Sequence, residues 1–322
     1  MTNGQIYRKT LGFSLRRVLW DVLAVVLFFA LGFVGFIIGD RIGDNGPIGM
    51  LIGAVIGLIA MIIILRFVSY LFKAGQIAMM TRGITEGRLP DNVIAEGKQA
   101  VRERFVTVSV FFALTNAVRG IFNQIGRGLT KVGQTVGGDT GGAVGNTLSS
   151  ILQTIVRYLC DCCLGWVFYR KNVKAPRAAC EGAVLFFRHG KTFIRNMDRV
   201  FGMGIASFLV IGGVFTAIFY PLAARYPEFY ESLAESIARE AEGEGWIYQL
   251  LQNPQTLPVV FAAVAGIIVW GILHPVFVKP FVLTGVLRNY LESGMNEIPT
   301  EESFYALDEK SPKLESCTVR SE

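Results

Sequence analysis

Residues 18–39 of this chain read VLWDVLAVVLFFALGFVGFIIG, a run of 22 residues in which Asp21 is the single charged side chain. A helix of about 20 residues crosses the roughly 30 Å hydrocarbon core of a bilayer. Asp40 and Arg41 follow the run in place of the small residues of a signal-peptidase site. We therefore expect this run to stay in the mature protein as a membrane-spanning helix.

The composition supports the same interpretation for the rest of the chain. The 322 residues are 52% hydrophobic and 17% charged, with a mean hydropathy of +0.46, whereas soluble domains carry about 25% charged residues. The predicted fold is an all-α, polytopic transmembrane helical bundle with about six spans. The six apolar segments are residues 18–39, 48–65, 105–125, 148–169, 200–223 and 257–278.

The third segment is the weakest of the six. Its uninterrupted apolar part, residues 105–118, has 14 residues before Arg119, which is shorter than a full span. A re-entrant or half-buried element is the alternative, and the chain would then have four or five spans.

The distribution of Lys and Arg predicts the orientation, because cytoplasmic loops carry the excess of positive charge. With six spans and the N-terminus inside, 24 of the 31 basic residues are cytoplasmic, six lie in outer loops and Arg157 lies within a span. Dropping one span would exchange the basic-rich and basic-poor loops downstream. We therefore expect six spans, with the N-terminus and the C-terminus both cytoplasmic.

The predicted spans and loops divide the chain into seven regions. Two cytoplasmic regions mix apolar residues with Lys and Arg, and are expected to lie as amphipathic helices against anionic headgroups. The acidic outer loop is expected to contain a short helix. The regions are a cytoplasmic N-terminal segment (1–17), a glycine-packed transmembrane hairpin (18–72), a cytoplasmic amphipathic segment (73–104), two transmembrane segments with a glycine-rich outer loop (105–169), a basic cytoplasmic segment (170–199), two transmembrane helices with an acidic outer loop (200–285) and a polar cytoplasmic tail (286–322).

Glycine recurs at every fourth position on both sides of a turn at residues 44–47. Residues four apart share a helix face, and a face without side chains lets two backbones approach closely in lipid. A second glycine-rich stretch, residues 126–147, is too polar to span and is interpreted as a flexible outer loop or as the lining of a pore or re-entrant vestibule. The first series predicts a glycine zipper between the first two helices, formed by Gly35, Gly39, Gly43, Gly49, Gly53 and Gly57.

Ionisable side chains at membrane depth are costly and usually face a partner or a water-filled path. Arg157 and Asp161 lie four apart in the fourth segment, within reach of an ion pair that is either a structural clamp or part of a translocation path. Near the inner end of the last span, His274 precedes Pro275, and Lys279 follows. Because proline kinks a helix, this region predicts either a kinked packing helix or a broken helix of a transporter site.

The chain shows no catalytic apparatus, so we expect neither an enzyme nor a cofactor. Cys160, Cys162 and Cys163 point in different directions around a helix and lack a second ligand pair. We therefore predict reduced cysteines, engaged in packing or palmitoylation, and no metal site. The sequence also lacks a phosphate-binding loop, a nucleophile elbow, a zinc-protease motif and a dinucleotide motif.

A family resemblance lies between Tyr158 and Phe219. This stretch contains a cysteine-rich helix end (residues 160–164, CDCCL), a segment AVLFFR at 183–188, and MDRV at 197–200 entering a glycine-containing span. In these features it resembles the choline transporter-like family of multi-pass membrane proteins, whose members are longer and have more spans. The resemblance implies a similar helix-loop-helix arrangement and a function in handling amphiphiles or organic cations.

These observations predict a small transporter or pore for an organic cation, amphiphile or ion, with the fourth and sixth spans lining the path. The alternative is a non-catalytic membrane scaffold or bilayer-shaping protein that uses its glycine-packed helices and basic segments. Similarity between the two halves of the chain would favour the transporter. Residues 18–125 and 148–278 each contain three predicted spans but do not otherwise look alike. The expected location is the plasma membrane, and the expected partners are the bilayer and its anionic cytoplasmic headgroups. The sequence leaves a homo-oligomer open and predicts no nucleic-acid partner.

The predicted orientation can be tested with single cysteines introduced at Glu242 and at Lys174 of a variant that lacks the native cysteines. An impermeant thiol reagent added outside should label position 242 and leave position 174 unlabelled until the membrane is opened. Labelling of both positions from one side of intact cells would contradict the six-span topology.

Overall fold

The computed structural model describes residues 1–43, 45–104, 154, 157–240 and 253–300. Every regular element in these ranges is helical, which confirms the all-α fold class. Four helical stretches are long and apolar enough to cross a membrane, and they correspond to the first, second, fifth and sixth predicted spans. The third predicted span lies outside the described residues. In the fourth, residues 148–156 also lie outside them, except for residue 154.

The described chain comprises α-helices interrupted by short π-helical segments, and it forms two compact units. The core unit is Met1–Met197 with Leu283–Glu322, and the hairpin unit is Asp198–Val282. Segment π1 (Ile64–Val68) joins α2 to α3, π2 (Phe208–Gly212) joins α6 to α7, and π3 (His274–Val278) joins α9 to α10. The helices are α1 (Asn3–Gly43), α2 (Gly46–Ile63), α3 (Ser69–Thr85), α4 (Val93–Glu103), α5 (157–169), α6 (Ala175–Ser207), α7 (Gly213–Ala223), α8 (Pro227–Glu240), α9 (Leu257–Leu273) and α10 (Lys279–Asn296).

The apolar stretches of the candidate spans turn most of their surface outward. In the most apolar window of each, between 6% and 17% of the residues are buried inside the protein. Side chains such as Phe29, Phe33 and Leu51 are about two-thirds exposed. A soluble protein rarely exposes apolar patches of this size, whereas lipid tails would cover them favourably. This distribution is compatible with a membrane protein.

Helices α1 and α2 form a hairpin whose inner faces meet backbone to backbone. A Cβ atom added to Gly35 would lie 2.3 Å from the carbonyl oxygen of Gly49, and one added to Gly53 would lie 2.2 Å from the carbonyl oxygen of Leu31. Gly39 meets Gly49 in the same way, with an added Cβ 2.9 Å from the Gly49 Cα. No side chain fits at these positions, so the two helices approach as closely as their backbones allow.

The outer members of the predicted series differ from each other. Gly57 lies in the contact, because a Cβ there would be 3.0 Å from the carbonyl oxygen of Phe28. Gly43 does not pack against α2, and its predicted packing role is wrong. It ends α1 with a φ of +149°, a conformation that favours glycine, and an added Cβ would meet only Asn45 Nδ2 at 3.5 Å.

The remaining helices of the core unit bury a common centre. Helix α5 lies innermost, since all residues from 158 to 168 are buried. It contacts α3 and α10 at one glycine, because a Cβ on Gly165 would lie 3.1 Å from Thr81 Oγ1 and 2.4 Å from a methyl group of Leu287. It contacts α6 where Cys163 lies 3.3 Å from the Cβ position of Gly182. The first turns of α1 join this core through Ile6 and Phe13, which are at most 1% exposed.

The predicted amphipathic segment 73–104 is two helices joined by a turn at Gly87, whose φ is +68°. In α3, residues 74–81 are all buried, so this helix packs within the protein and does not lie along a surface. Helix α4 is amphipathic, with Asn92 capping its first turn through a 3.1 Å bond from the Ala95 N–H. Its buried stripe includes Gly97, whose absent side chain leaves room for the ring of Phe13.

The hairpin unit contains α7 and α9 side by side, with α8 between them in sequence. A Cβ on Gly266 of α9 would lie 2.6 Å from the carbonyl oxygen of Gly212 and 2.4 Å from Thr216 Oγ1, so this pair also packs through a glycine. Helix α8 is the short helix expected in the acidic loop, and its Tyr230 ring packs against Phe261 with centroids 5.5 Å apart.

The glycine contact predicts a difference between two identical substitutions. Gly49→Ala places a methyl group 2.2 Å from the Gly35 carbonyl oxygen, whereas Gly271→Ala places one where nothing lies within 4 Å. Overpacking typically costs about 1–3 kcal/mol, so Gly49→Ala should lower the melting temperature in detergent by several degrees. Gly271→Ala should leave it unchanged or raise it, because alanine favours helix. Equal melting temperatures for both variants would show that the hairpin does not depend on backbone contact.

Candidate functional site

The core unit buries a carboxylate near its centre. Asp161 lies on α5 with its side chain 6% exposed, and it forms a salt bridge with Lys73 Nζ of α3. The Lys73 side chain keeps 25% of its surface exposed, so the ammonium group links the buried carboxylate to the surface of the unit. A charge buried to this degree requires such a partner, because desolvation would otherwise favour the protonated acid.

Tyr70 lies one helical turn before Lys73 and borders the same carboxylate. Burial, together with the neighbouring negative charge of Asp161, raises the pKa of Tyr70. The phenol therefore stays neutral across the physiological range and can act as a hydrogen-bonding group. The three side chains form a compact charged cluster between α3 and α5.

The predicted pairing of Asp161 with Arg157 is not what the structure shows. Arg157 is exposed, and it forms no salt bridge among the residues that the structure describes. The i, i+4 spacing places both residues on one side of the helix, but Asp161 lies in the buried stretch 158–168 and Arg157 lies outside it. Lys73 reaches the carboxylate from a neighbouring helix, which spacing along α5 cannot reveal.

A second buried carboxylate ties α5 to α6. Glu181, 3% exposed, accepts hydrogen bonds from Trp166 Nε1 at 3.0 Å and from Arg170 Nε and Nη2 at 3.0 and 3.3 Å. The bidentate arginine and the indole together satisfy both carboxylate oxygens. This complete set of partners fits a structural anchor. The sequence does not reveal this anchor, because the helix is interrupted between Arg170 and Glu181 and the two side chains meet only through the packing of α5 against α6.

The cysteine cluster is part of the same packed centre. Cys160, Cys162 and Cys163 are free thiols and at most 6% exposed, which fits packing and disfavours palmitoylation, since acylation needs an accessible thiol. Among the described residues no group of three or more His, Cys, Asp or Glu could hold a metal ion. The prediction of reduced cysteines is wrong for Cys180 of α6, which is disulfide-bonded.

The hairpin unit contains a second polar cluster, around His274. The Nδ1 atom of His274 lies 2.9 Å from Ser207 Oγ, and the imidazole packs on the ring of Trp270 with centroids 5.2 Å apart. Trp270 Nε1 also donates to Ser207 Oγ, at 3.2 Å. The three side chains join the end of α6 to the end of α9.

The partners of Ser207 bear on the tautomer of His274. The hydroxyl group lies 2.8 Å from the carbonyl oxygen of Gly204, to which it can donate, and it accepts from Trp270. In this bonding pattern the remaining lone pair of Oγ accepts from Nδ1 of His274, which corresponds to the tautomer with its hydrogen on Nδ1. In that tautomer the neutral ring presents Nε2 as an acceptor, able to take up a proton or a hydrogen-bond donor.

His274 and Lys279, both predicted as path residues, flank segment π3. Pro275 lies in the first turn of π3, and the chain continues as a helix from α9 through π3 into α10. The proline is thus accommodated by a local change of helical pitch. Lys279 is half-buried at the first position of α10. In the structure His274 belongs to the serine and tryptophan cluster, and Arg157 and Asp161 lie in the other unit.

The first hairpin also has a polar contact beside a π-helical segment, with the serine on the returning helix. Ser69 follows π1 directly, as Lys279 follows π3, and its hydroxyl donates to Asp21 of α1. Asp21 also contacts Arg17 Nε at 3.7 Å. Each hairpin therefore has a serine bonded across its two helices to a titratable side chain, next to a π-helical segment.

A spacing in the sequence could have shown that π1 and π3 correspond to each other. Phe67-Val68 and Phe277-Val278 are 210 residues apart, and Gly75 and Gly285 are separated by the same interval. Segments π1 and π3 begin at that interval too. The signal consists of few residues, and it stands out only once the π-helical segments are known.

Comparisons with protein-family models, with curated proteins and with solved structures give no match for this chain. The interpretation of the two polar clusters therefore rests on their own geometry.

The salt bridge between Lys73 and Asp161 can be tested against the earlier pairing. Breaking a buried ion pair typically costs about 3–5 kcal/mol, and the partial exposure of Lys73 places this one near the lower end. Lys73→Met and Asp161→Leu should each lower the melting temperature in detergent, and the double variant should recover most of the loss. Arg157→Met, which removes an exposed charge, serves as the control and should change little. A loss for Arg157→Met as large as that for Lys73→Met would contradict the assignment.

Proposed function

We propose that this chain is a multi-pass membrane transport protein for an organic cation or a related amphiphile, with its N-terminus in the cytoplasm. The observation that carries the proposal is the repeated hairpin. In both hairpins the returning helix passes through a π-helical segment, and a serine next to a π-helical segment bonds across the hairpin to a titratable side chain. Ser69 follows π1 on the returning helix and bonds to Asp21, whereas Ser207 precedes π2 on the outgoing helix and bonds to His274 of π3. Corresponding irregular helices with polar side chains are typical of transporters built from internal repeats.

The chemistry of the two clusters suits a cationic solute. Asp21 offers a carboxylate that is about one-third exposed, hydrogen-bonded by Ser69 and only loosely paired with Arg17. A cation could replace the weak contact to Arg17 and compensate the Asp21 charge in its place, and the partly exposed Arg17 side chain would then turn to water or headgroups. His274 can take up a proton at Nε2, which is a means of coupling solute movement to protons.

Contacts within the core unit support an orientation in which the N-terminal residues and α10 lie on the same side of the membrane. Arg288 of α10 donates to the Asn3 side chain at 2.6 Å and to the Met1 carbonyl oxygen at 2.7 Å. Met1 precedes the first candidate span and Arg288 follows the last apolar stretch. These bonds require Met1 and Arg288 to lie on the same side of the membrane, so the chain between them must cross it an even number of times. Four or six spans meet this condition. The excess of basic residues on that side favours the cytoplasm.

One observation favours the alternative, a membrane scaffold. The α1–α2 hairpin packs through its glycine face, and its outer surface is apolar and largely exposed, as expected of a hairpin surrounded by lipid. A hairpin of this kind could anchor a soluble core and recruit partners without moving any solute.

Flux measurements separate the two functions. The purified chain in liposomes should take up a fluorescent organic cation such as ethidium faster than protein-free liposomes do, and an imposed pH gradient should change the rate. A charge-assisted hydrogen bond contributes about 1.5–3 kcal/mol, so Asp21→Asn should lower uptake about tenfold or more. Asp40→Asn, an exposed carboxylate of the same helix, is the matched control.

The hydroxyl of Ser207 provides an independent variant. Ser207→Ala should reduce uptake and weaken its dependence on the pH gradient, because His274 loses the acceptor that fixes its tautomer. Ser232→Ala is the control, since that hydroxyl bonds to a carbonyl of its own helix. Uptake by the wild type equal to that of protein-free liposomes would reject transport and favour the scaffold.

A further inference from the structure

A groove of about 480 Å³ lies in the core unit between α1, π1, α3 and α4. Its volume falls within the range of small-molecule sites, about 300–1,000 Å³. The walls are almost wholly apolar, and are formed chiefly by Phe13, Val68, Leu71, Phe72 and Val101. The floor is rigid, because Phe13 is 1% exposed and its ring fills the space that side chains at Gly75 and Gly97 would occupy.

The groove begins where a candidate span ends. Val68 is the last residue of π1, which continues directly from α2, and Leu71 and Phe72 follow within the first turn of α3. The neighbouring Phe67 is 53% exposed. If α2 crosses the bilayer, the open side of the groove faces the boundary between hydrocarbon and headgroups, where a lipid chain can enter without crossing water.

Two basic residues occupy the α4 side of the groove. Lys98 and Arg102 are exposed, line the groove and lie one helical turn apart, so they face the same direction. Among the described residues neither forms a salt bridge. The acidic residues of α4 are engaged elsewhere, since Glu96 pairs with Arg82 at 3.0 Å and Glu103 accepts from Gln99 at 2.9 Å.

We infer that this groove binds one anionic phospholipid, with an acyl chain against Phe13, Leu71 and Val101 and with the phosphate between Lys98 and Arg102. The apolar walls match the chain, and the two unpaired cations match the headgroup. The charge distribution disfavours a zwitterionic lipid, which would leave its own cation beside Lys98 and Arg102. A bound lipid would fasten α4 to α3 just before the chain enters the third predicted span.

Binding can be measured on the full chain in a nonionic detergent, by melting temperature and by native mass spectrometry. Short-chain phosphatidylglycerol should raise the melting temperature saturably and appear as one bound lipid. Phosphatidylcholine with the same chains, and glycerophosphoglycerol, which is the headgroup without chains, should each give a smaller shift. The last comparison distinguishes a lipid site from a site for a soluble phosphate.

Variants test the two halves of the site separately. Lys98→Gln with Arg102→Gln should weaken phosphatidylglycerol binding by about thirtyfold, the effect expected from two basic contacts. Arg88→Gln with Lys174→Gln removes two exposed charges outside the groove and should leave binding unchanged. Leu71→Trp fills the groove while keeping both charges and should also weaken binding.

The outcome that overturns the inference is equal stabilisation by phosphatidylcholine and phosphatidylglycerol, or by the headgroup alone. If the Arg88 and Lys174 control lost binding to the same extent, the lipid would be attracted by the general surface charge and not by the groove, which would also overturn the inference. Tight binding in the Leu71→Trp variant would place the lipid elsewhere. None of these results depends on transport, so the site can fail while the proposed function stands.

Discussion

The burial of residues 158–168 of α5 is the constraint on which the rest of the core unit depends. A stretch of helix buried on every face must find all its partners within the protein, and this one carries an aspartate, a tryptophan and three cysteines. The partner of Asp161 comes from α3, and the partner of Trp166 comes from α6. Glycines at 165, 182 and 294 let the neighbouring helices approach α5 closely enough for these contacts. Each polar bond therefore also fixes the position of a helix.

The hairpins are held together by a different physical effect. In the core unit, burial of apolar surface from water stabilises the packing, and polar bonds decide which helices meet. Between α1 and α2 the outer faces are apolar and exposed, so in lipid no hydrophobic driving force would bring the helices together. The contact depends instead on backbone proximity, and Gly35, Gly49 and Gly53 make that proximity attainable. The same chain thus uses glycine on a helix face for packing in both environments.

The π-helical segments connect these two kinds of packing. Segments π1 and π3 each join an apolar helix to a helix that continues into the core unit, and π2 lies on the outgoing helix of the second hairpin. An extra residue in a helical turn rotates the following helix face, which lets one continuous helix present glycine or apolar residues on one stretch and core residues on the next. Polar contacts involving Asp21 and His274 occur at these transitions, where the helical hydrogen-bond pattern is irregular. This arrangement is the physical basis of the proposed transport function.

The sequence by itself determined the features that depend on local patterns. Apolar length predicted the four described candidate spans, and the fourfold spacing of glycine predicted the inner face of the first hairpin, because residues four apart on a helix share a face. The spacing alone did not distinguish Gly43 from the other glycines, because Gly43 follows the spacing but ends the helix with a positive φ. The tertiary structure alone decided the partners of buried charges. Lys73 and Asp161 are separated by 88 positions, a distance at which no local sequence pattern connects two residues. They meet only because α3 and α5 pack together. Helical periodicity specifies which side of a helix a residue occupies, but the neighbour on that side is set by how the helices assemble.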